Sequence, residues 1–193
     1  MTVYLPLVFA WLVFGLVHSL LAATVVKTKL MQWMGRDSRY YRLLYSILAF
    51  ATLAWVLHQH FSIQEIILWQ PPVLQKIFAW ILVLGGLAIM VVCIKKYFLY
   101  LSGIDALMDV QYKPVLEQTG LHAYVRHPLY FGTLAFVWGI WWGYPYMHNL
   151  VSVLCITLYT LIGAYFEERK LLIEYGEVYR LYQQKTPMII PGF

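Results

Sequence analysis

The sequence predicts an all-α integral membrane protein, with about five transmembrane helices and a cytosolic C-terminal helix. Three observations predict it. Of 193 residues, 62% are apolar and only 12% are charged, against about 45–50% and about 25% in ordinary soluble proteins. The apolar residues fall into uncharged runs, and about 20 such residues span the hydrocarbon of a bilayer. The basic residues collect between alternate runs. So few charges cannot cover a soluble fold, and so much apolar surface excludes disorder.

The elements follow in order. Residues 3–26 carry no formal charge and form the first expected span. Residues 43–64 are also uncharged, with His58, Gln59 and His60 making the far end polar. Residues 77–94 are fewer but strongly apolar. The uncharged stretch 128–166 is too long for one span. Its middle, Gly143-Tyr144-Pro145-Tyr146-Met147-His148-Asn149, is turn chemistry with interfacial aromatics. It divides into spans 128–144 and 149–166, joined as a hairpin. In the tail, 167–193, Glu168, Leu171, Leu172, Tyr175, Tyr179 and Tyr182 recur at helical spacing. Gly176 weakens that helix, and Pro187 and Pro191 end it. The aromatic stripe either rests on the membrane surface or closes over a pocket. The whole chain, 1–193, is expected to be one membrane domain.

Charge sets the expected orientation. Lys27, Lys29, Arg36, Arg39 and Arg42 follow the first span. Lys95, Lys96, Lys113 and Arg126 follow the third, and Arg169, Lys170, Arg180 and Lys185 follow the fifth. Thirteen of the 14 basic residues thus fall on one side, with Lys76 opposite. By the positive-inside rule the N-terminus is outside and the C-terminus cytosolic, the membrane being the plasma or inner membrane if the source is bacterial. No cleavable signal is expected, because the first run has no basic segment before it. Cys93 and Cys155 both lie inside apolar runs, so neither a disulfide framework nor a zinc ribbon is indicated. The net charge of +5 reports topology, and no feature points to nucleic acid.

Two clusters have chemical potential. The first is the stretch from Thr119 to Gly132, with Arg126 and His127 before Pro128. Proline suits the first turn of a helix, so these side chains sit at a helix N-terminus, where a carboxylate or phosphate is favoured. Tyr130 follows within the first turn. Arg126 is equally placed to act as a topological anchor. The second cluster is Glu167-Glu168-Arg169-Lys170. Paired acids near hydrocarbon are costly and mark either a cation site or a solvated ion-paired turn. The hairpin returns the second cluster to the depth of the first, which complements a zwitterionic amino-acid group with aromatics nearby.

Arg126-His127-Pro128-Leu129-Tyr130, then Glu167-Glu168-Arg169-Lys170-Leu171, Tyr175-Gly176, Tyr179, Tyr182 and Pro191 resemble the isoprenylcysteine carboxyl methyltransferase family. Phospholipid methyltransferases and the NnrU-like and methanethiol methyltransferase-like membrane proteins are related to it. This likeness covers roughly residues 116–191. Phe14-Gly15-Leu16-Val17-His18-Ser19-Leu20-Leu21-Ala22 and Tyr41-Arg42-Leu43-Leu44-Tyr45 resemble the NnrU-like and thiol methyltransferase branch. The resemblance implies a membrane enzyme using S-adenosylmethionine, held between the last spans and the C-terminal helix. It implies that Arg126 faces the methionine carboxylate. His127, Pro128 and Tyr130 would line the pocket, and Glu167 and Glu168 would take the ammonium or ribose hydroxyls. The backbone at Gly120, Leu121 and His122 would face the adenosine. His122-Ala123-Tyr124 departs from the aromatic-basic-aromatic run of many relatives.

The implied reaction is displacement at a sulfonium methyl by a small or lipophilic acceptor, a thiol before a carboxylate or an amine. A thiol with a reference pKa of about 8.5 needs modest help in losing its proton, and the candidate helpers are His18 and His127; Arg126 is the third candidate catalytic residue. Residues 97–103 belong either to the acceptor pocket or to an interfacial helix. The alternative is a non-catalytic NnrU-like membrane protein binding a lipid or haem. Against haem, His18 lies near the inner side, whereas His58 and His60 lie near the outer, so they cannot share one ring.

Overall fold

The computed structural model describes residues 2–102 and 115–192, the side chains of 96–102 excepted. Lys113 and the side chains of the 97–103 stretch therefore lie outside the described residues. Seven α-helices are present among those described: α1 (Leu5–Ala22), α2 (Thr24–Met34), α3 (Tyr41–Phe61), α4 (Val73–Ser102), α5 (Pro128–Gly143), α6 (Met147–Tyr175) and α7 (Glu177–Lys185). Short 3-10 turns occupy Gly35–Tyr40 and Gly120–Ala123. The described residues contain no strand beyond an isolated antiparallel bridge between Ile67 and Tyr146. The protein is an all-α membrane protein. By length and composition four segments can cross a membrane: Thr2–Ala22, Thr24–Phe61 taken through its 3-10 turn, Val73–Lys95 and Met147–Tyr175. Helix α5, 16 residues long, rises about 24 Å at about 1.5 Å per residue, short of the roughly 30 Å hydrocarbon layer.

Several helices depart from the expected bounds. The uncharged stretch 3–26 is not one helix. Ala23 takes an extended conformation (φ −64°, ψ 128°), its N–H closing on Ser19 and Leu20, and a second helix starts at Thr24. Lys27 and Lys29 therefore ride on α2 instead of in a loop. Helix α4 starts right after Pro71-Pro72, which cannot continue a helix ladder, and extends beyond residue 94 to Ser102. Helix α6 runs unbroken through Glu167 and Glu168 to Tyr175. There Gly176, at φ 56° and ψ −127°, turns the chain in a region closed to L side chains, and α7 begins.

The described chain divides into two units. In the first, α1 packs antiparallel along α3. Phe9 meets Trp55 edge-on at 6.3 Å, His18 meets Tyr45, and the Tyr41 hydroxyl donates to the Leu21 carbonyl at 2.5 Å. These pairings fix the register over fully buried Leu7, Ala10 and Val56. They also set His18 near the start of α3, whereas His58 and His60 lie at its far end, some 13 residues or about 20 Å beyond Tyr45 at about 1.5 Å per residue.

The second unit contains α4 up to Lys95, α5, α6, α7 and the tail. Helices α4 and α5 approach backbone to backbone through glycines. A Cβ on Gly86 would lie 2.6 Å from the Gly132 carbonyl and the Phe136 nitrogen, and one on Gly139 would lie 2.9 Å from the Ala79 carbonyl. The α5–α6 hairpin closes with the Trp138 indole donating to Thr157 at 3.0 Å and the Leu68 N–H donating to the Pro145 carbonyl at 2.9 Å. It returns the start of α5 alongside residues 167 and 168 of α6.

Candidate active site

Pro128 starts α5, so the two residues before it leave the helix axis with extended or turn geometry; His127 has φ −120° and ψ 67°. Their backbone N–H groups find partners in the tail. Arg126 donates to the Pro187 carbonyl at 2.9 Å and His127 to Met188 at 3.0 Å. The tail beyond α7 is thereby stitched to the mouth of α5.

The side chains converge on Glu168, which is 8% exposed. Arg126 grips it with two bonds, Nε to Oε1 at 2.9 Å and Nη2 to Oε2 at 2.7 Å. This is the bidentate fork that suits a guanidinium and a carboxylate. His127 Nε2 lies 2.7 Å from Oε1, the Tyr179 hydroxyl donates to Oε1 at 2.6 Å, and Gln183 donates to Oε2 at 2.7 Å. Arg126 Nη1 also caps the end of α7, donating to the carbonyls of Gln183 and Thr186. Burial works against the charge of Arg126, but the bond to Glu168 and its negative charge outweigh burial and raise the guanidinium pKa. Burial, reinforced by donation to Glu168, drives the Tyr179 hydroxyl well above the usual phenol range.

Glu167 is different. Its side chain is 42% exposed. Oε2 accepts from the Tyr130 hydroxyl at 2.7 Å and lies 3.6 Å from His127 Nδ1, while Oε1 has no hydrogen bond among the described residues. The His127 and Tyr130 rings stack at 5.3 Å, so the histidine faces a carboxylate through each nitrogen. Nearby, Gly120 at φ 60° opens the Gly120–Ala123 turn. The His122 carbonyl of that turn accepts from the Tyr182 hydroxyl at 2.5 Å, and burial pushes that phenol up to about 12.

The second unit thus brings together Arg126, His127, Pro128, Tyr130, Glu167 and Glu168, with Gly120, Leu121 and His122 tied to α7 beside them. His18 belongs to the first unit, where its Nε2 lies 2.7 Å from the Tyr45 hydroxyl and its ring stacks on Phe14 at 5.6 Å. The paired charges are the main departure from the sequence reading. Arg126 and Glu168 hold each other instead of standing open to opposite ends of a ligand. The tail stripe also resolves: Tyr179 and Tyr182 are 0% and 5% exposed, so this face closes inward. Sequence reasoning did not find Gln183 as a Glu168 donor or the tail carbonyls as Arg126 acceptors. Tyr179 and Gln183 are four apart on α7, a same-face spacing, yet nothing in it names a carboxylate as the partner.

Fold and cluster define a helical membrane protein with a buried carboxylate-centred site at the mouth of a helical hairpin. The model of the NnrU protein family matches residues 6–143, and the chain belongs to that family. A methanethiol S-methyltransferase of Crocosphaera subtropica is 30% identical over 191 residues, 93% of this chain and 71% of that protein. A methanethiol S-methyltransferase of a Pseudomonas species is 43% identical over 82 residues, 41% of this chain and 30% of that protein. That of Pseudomonas deceptionensis is 40% identical over 74 residues, 37% of this chain and 27% of that protein. The chain thus spans under a third of two of these relatives. No solved structure matches. The family match takes in Arg126 to Tyr130 and stops short of Glu167 and Glu168.

Proposed function

We propose that the protein is an integral-membrane methyltransferase that uses S-adenosylmethionine and methylates a small or lipophilic acceptor, a thiol first. The reading is carried by one observation: the segment Arg126–Tyr130 and the pair Glu167–Glu168 meet within hydrogen-bond distance. The names of the relatives support it, above all the one aligned over 191 residues. The donor set fits the cofactor. Glu167, half-exposed with Oε1 open, suits an ammonium or ribose hydroxyls. The N–H groups of Leu129 and Tyr130 in the first turn of α5 suit a carboxylate beside Arg126. The turn Gly120–His122 offers backbone to an adenosine. When bound, S-adenosylmethionine supplies an electrophilic methyl group.

In this reading the residues of the chain bind, orient and exclude water. Glu168 holds Arg126 and His127 in place, and Tyr130 aims Glu167. His127, 2.7 Å from Glu168 through Nε2 and 3.6 Å from Glu167 through Nδ1, acts in this reading as a positioning residue. His18 belongs to the first unit, where it pairs with the Tyr45 hydroxyl. We further propose five spans, α5 being the fourth, with the N-terminus outside and the site on the cytosolic side.

The test is calorimetric titration of the detergent-purified chain with S-adenosylmethionine and S-adenosylhomocysteine, with ATP as control. Headspace detection of dimethyl sulfide from methanethiol follows. Micromolar binding that is lost in Glu167→Gln and Arg126→Ala supports the assignment. Absence of binding by monodisperse protein favours a second reading, to which the Arg126–Glu168 pairing itself lends weight: a non-catalytic member in which the cluster only clasps the tail.

A further inference from the structure

Among the helices of the first unit lies a cavity of about 190 Å³, with Tyr45, the partner of His18, in its wall. Its wall is almost wholly carbon, drawn from Leu21 of α1, Leu30, Trp33 and Met34 of α2, and Leu44 and Leu48 of α3. The cavity exists because α1 and α2 are separate helices: the break at Ala23 lets α2 leave the line of α1. Trp33 lines it and is 86% exposed. A large aromatic standing at an apolar opening is the arrangement of the membrane–water boundary.

The charges around it have one sign. Lys27 precedes Leu30 by three residues and Met34 by seven, so helical register puts it on the cavity face of α2. Lys29 precedes Trp33 by four. Arg36 follows in the 3-10 turn, and Asp37 is the sole acid between residues 24 and 42. Lys27, Lys29 and Arg36 make no ion pair among the described residues. An apolar cleft with unpaired cations on its rim complements a molecule with a hydrocarbon chain on one end and an anion on the other. In a bilayer that molecule is a phospholipid. We propose that this cavity is a binding site for an anionic phospholipid, one acyl chain lying between α2 and α3 and the phosphate and glycerol headgroup meeting Lys27, Lys29 and Arg36. The proposal stands apart from the methyl-transfer reading.

Native mass spectrometry of the full chain tests it, in micelles titrated with palmitoyl-oleoyl phosphatidylglycerol or with phosphatidylcholine of the same chains. The expected result is retention of the anionic lipid at about tenfold lower concentration. In Lys27→Gln/Lys29→Gln that preference falls to within about twofold, while Lys170→Gln/Lys185→Gln, a basic pair of the second unit, keeps it. Leu44→Trp, which fills a cavity wall that is already half-exposed, weakens both lipids. Glycerol phosphate does not displace the lipid. Equal retention of the two lipids, equal loss in both lysine-pair variants, or displacement by glycerol phosphate overturns the proposal, the second because it reports bulk basic charge and the third because it reports a bare anion site.

Discussion

Two adjacent glutamates in one helix turn have opposite surroundings, and the contrast sets what their loss does. Glu168 takes donors from Arg126, His127, Tyr179 and Gln183 in a buried cluster; Glu167 holds one hydroxyl at a half-open edge. Removing one partner of a buried ion pair strands the other, at a cost of about 3–5 kcal/mol. Glu168→Ala should therefore lower the melting temperature in detergent sharply, and Glu167→Ala, costing about 1 kcal/mol or less, should barely move it. Equal shifts would refute the distinction. The tyrosines give an alkaline signature. Tyr182 titrates at about 12 when folded, and Tyr179 is raised as well, against about 10 in the unfolded chain. A group whose folded pKa is raised contributes stability that is complete below the unfolded value and lost as pH rises through the folded one. Wild-type stability should fall between pH 10 and 12 more steeply than that of Tyr179→Phe/Tyr182→Phe, and parallel slopes would contradict this. The sequence named Arg126, His127, Tyr130 and both glutamates as one neighbourhood, because a hairpin brings its two ends together. It did not say that Arg126 and Glu168 bind each other, since spacing along the chain carries no information about which of several nearby partners a fork selects.

Helix boundaries and approaches depend on glycine and proline more than on hydropathy. Pro72 and Pro128 stand where α4 and α5 begin, and Pro128 was legible as a start. The break at Ala23 was not: no glycine, proline or charge marks it, and an apolar run reads the same whether continuous or bent. Close packing was equally hidden. Gly85 and Gly86 are indistinguishable in sequence, yet a Cβ on Gly86 meets backbone of α5 at 2.6 Å, and one on Gly85 meets nothing within 4 Å. Gly86→Ala should thus force α4 from α5 and cost about 1–3 kcal/mol, with Gly85→Ala neutral or stabilising. A thermal-shift comparison in detergent decides it, and similar values for the pair would disprove the close approach. Gly176→Ala should also destabilise, by about 1–3 kcal/mol, since φ 56° leaves an alanine strained where α6 turns into α7.

At the scale of the whole chain, charge asymmetry makes the prediction. With the native cysteines replaced by serine, Gln64→Cys should react with an impermeant maleimide on intact cells, and Gln184→Cys only after permeabilisation; the reverse pattern would invert the proposed orientation. Composition and the spacing of uncharged runs were enough to identify a helical membrane protein, because transfer of apolar length into lipid is additive along a chain and does not depend on contacts. The paired motifs were enough to locate a polar site at the ends of the hairpin for the same local reason. Tertiary structure alone decided that Glu168 is a hub and not an open ligand, that Tyr179, Tyr182 and Gln183 close α7 over it, that α2 leaves α1 and opens an apolar cavity, and that Gly86 and not Gly85 meets the backbone of α5. Each of these turns on which groups of distant segments come within about 3 Å, and a distance between segments is a property of packing that no residue carries by itself.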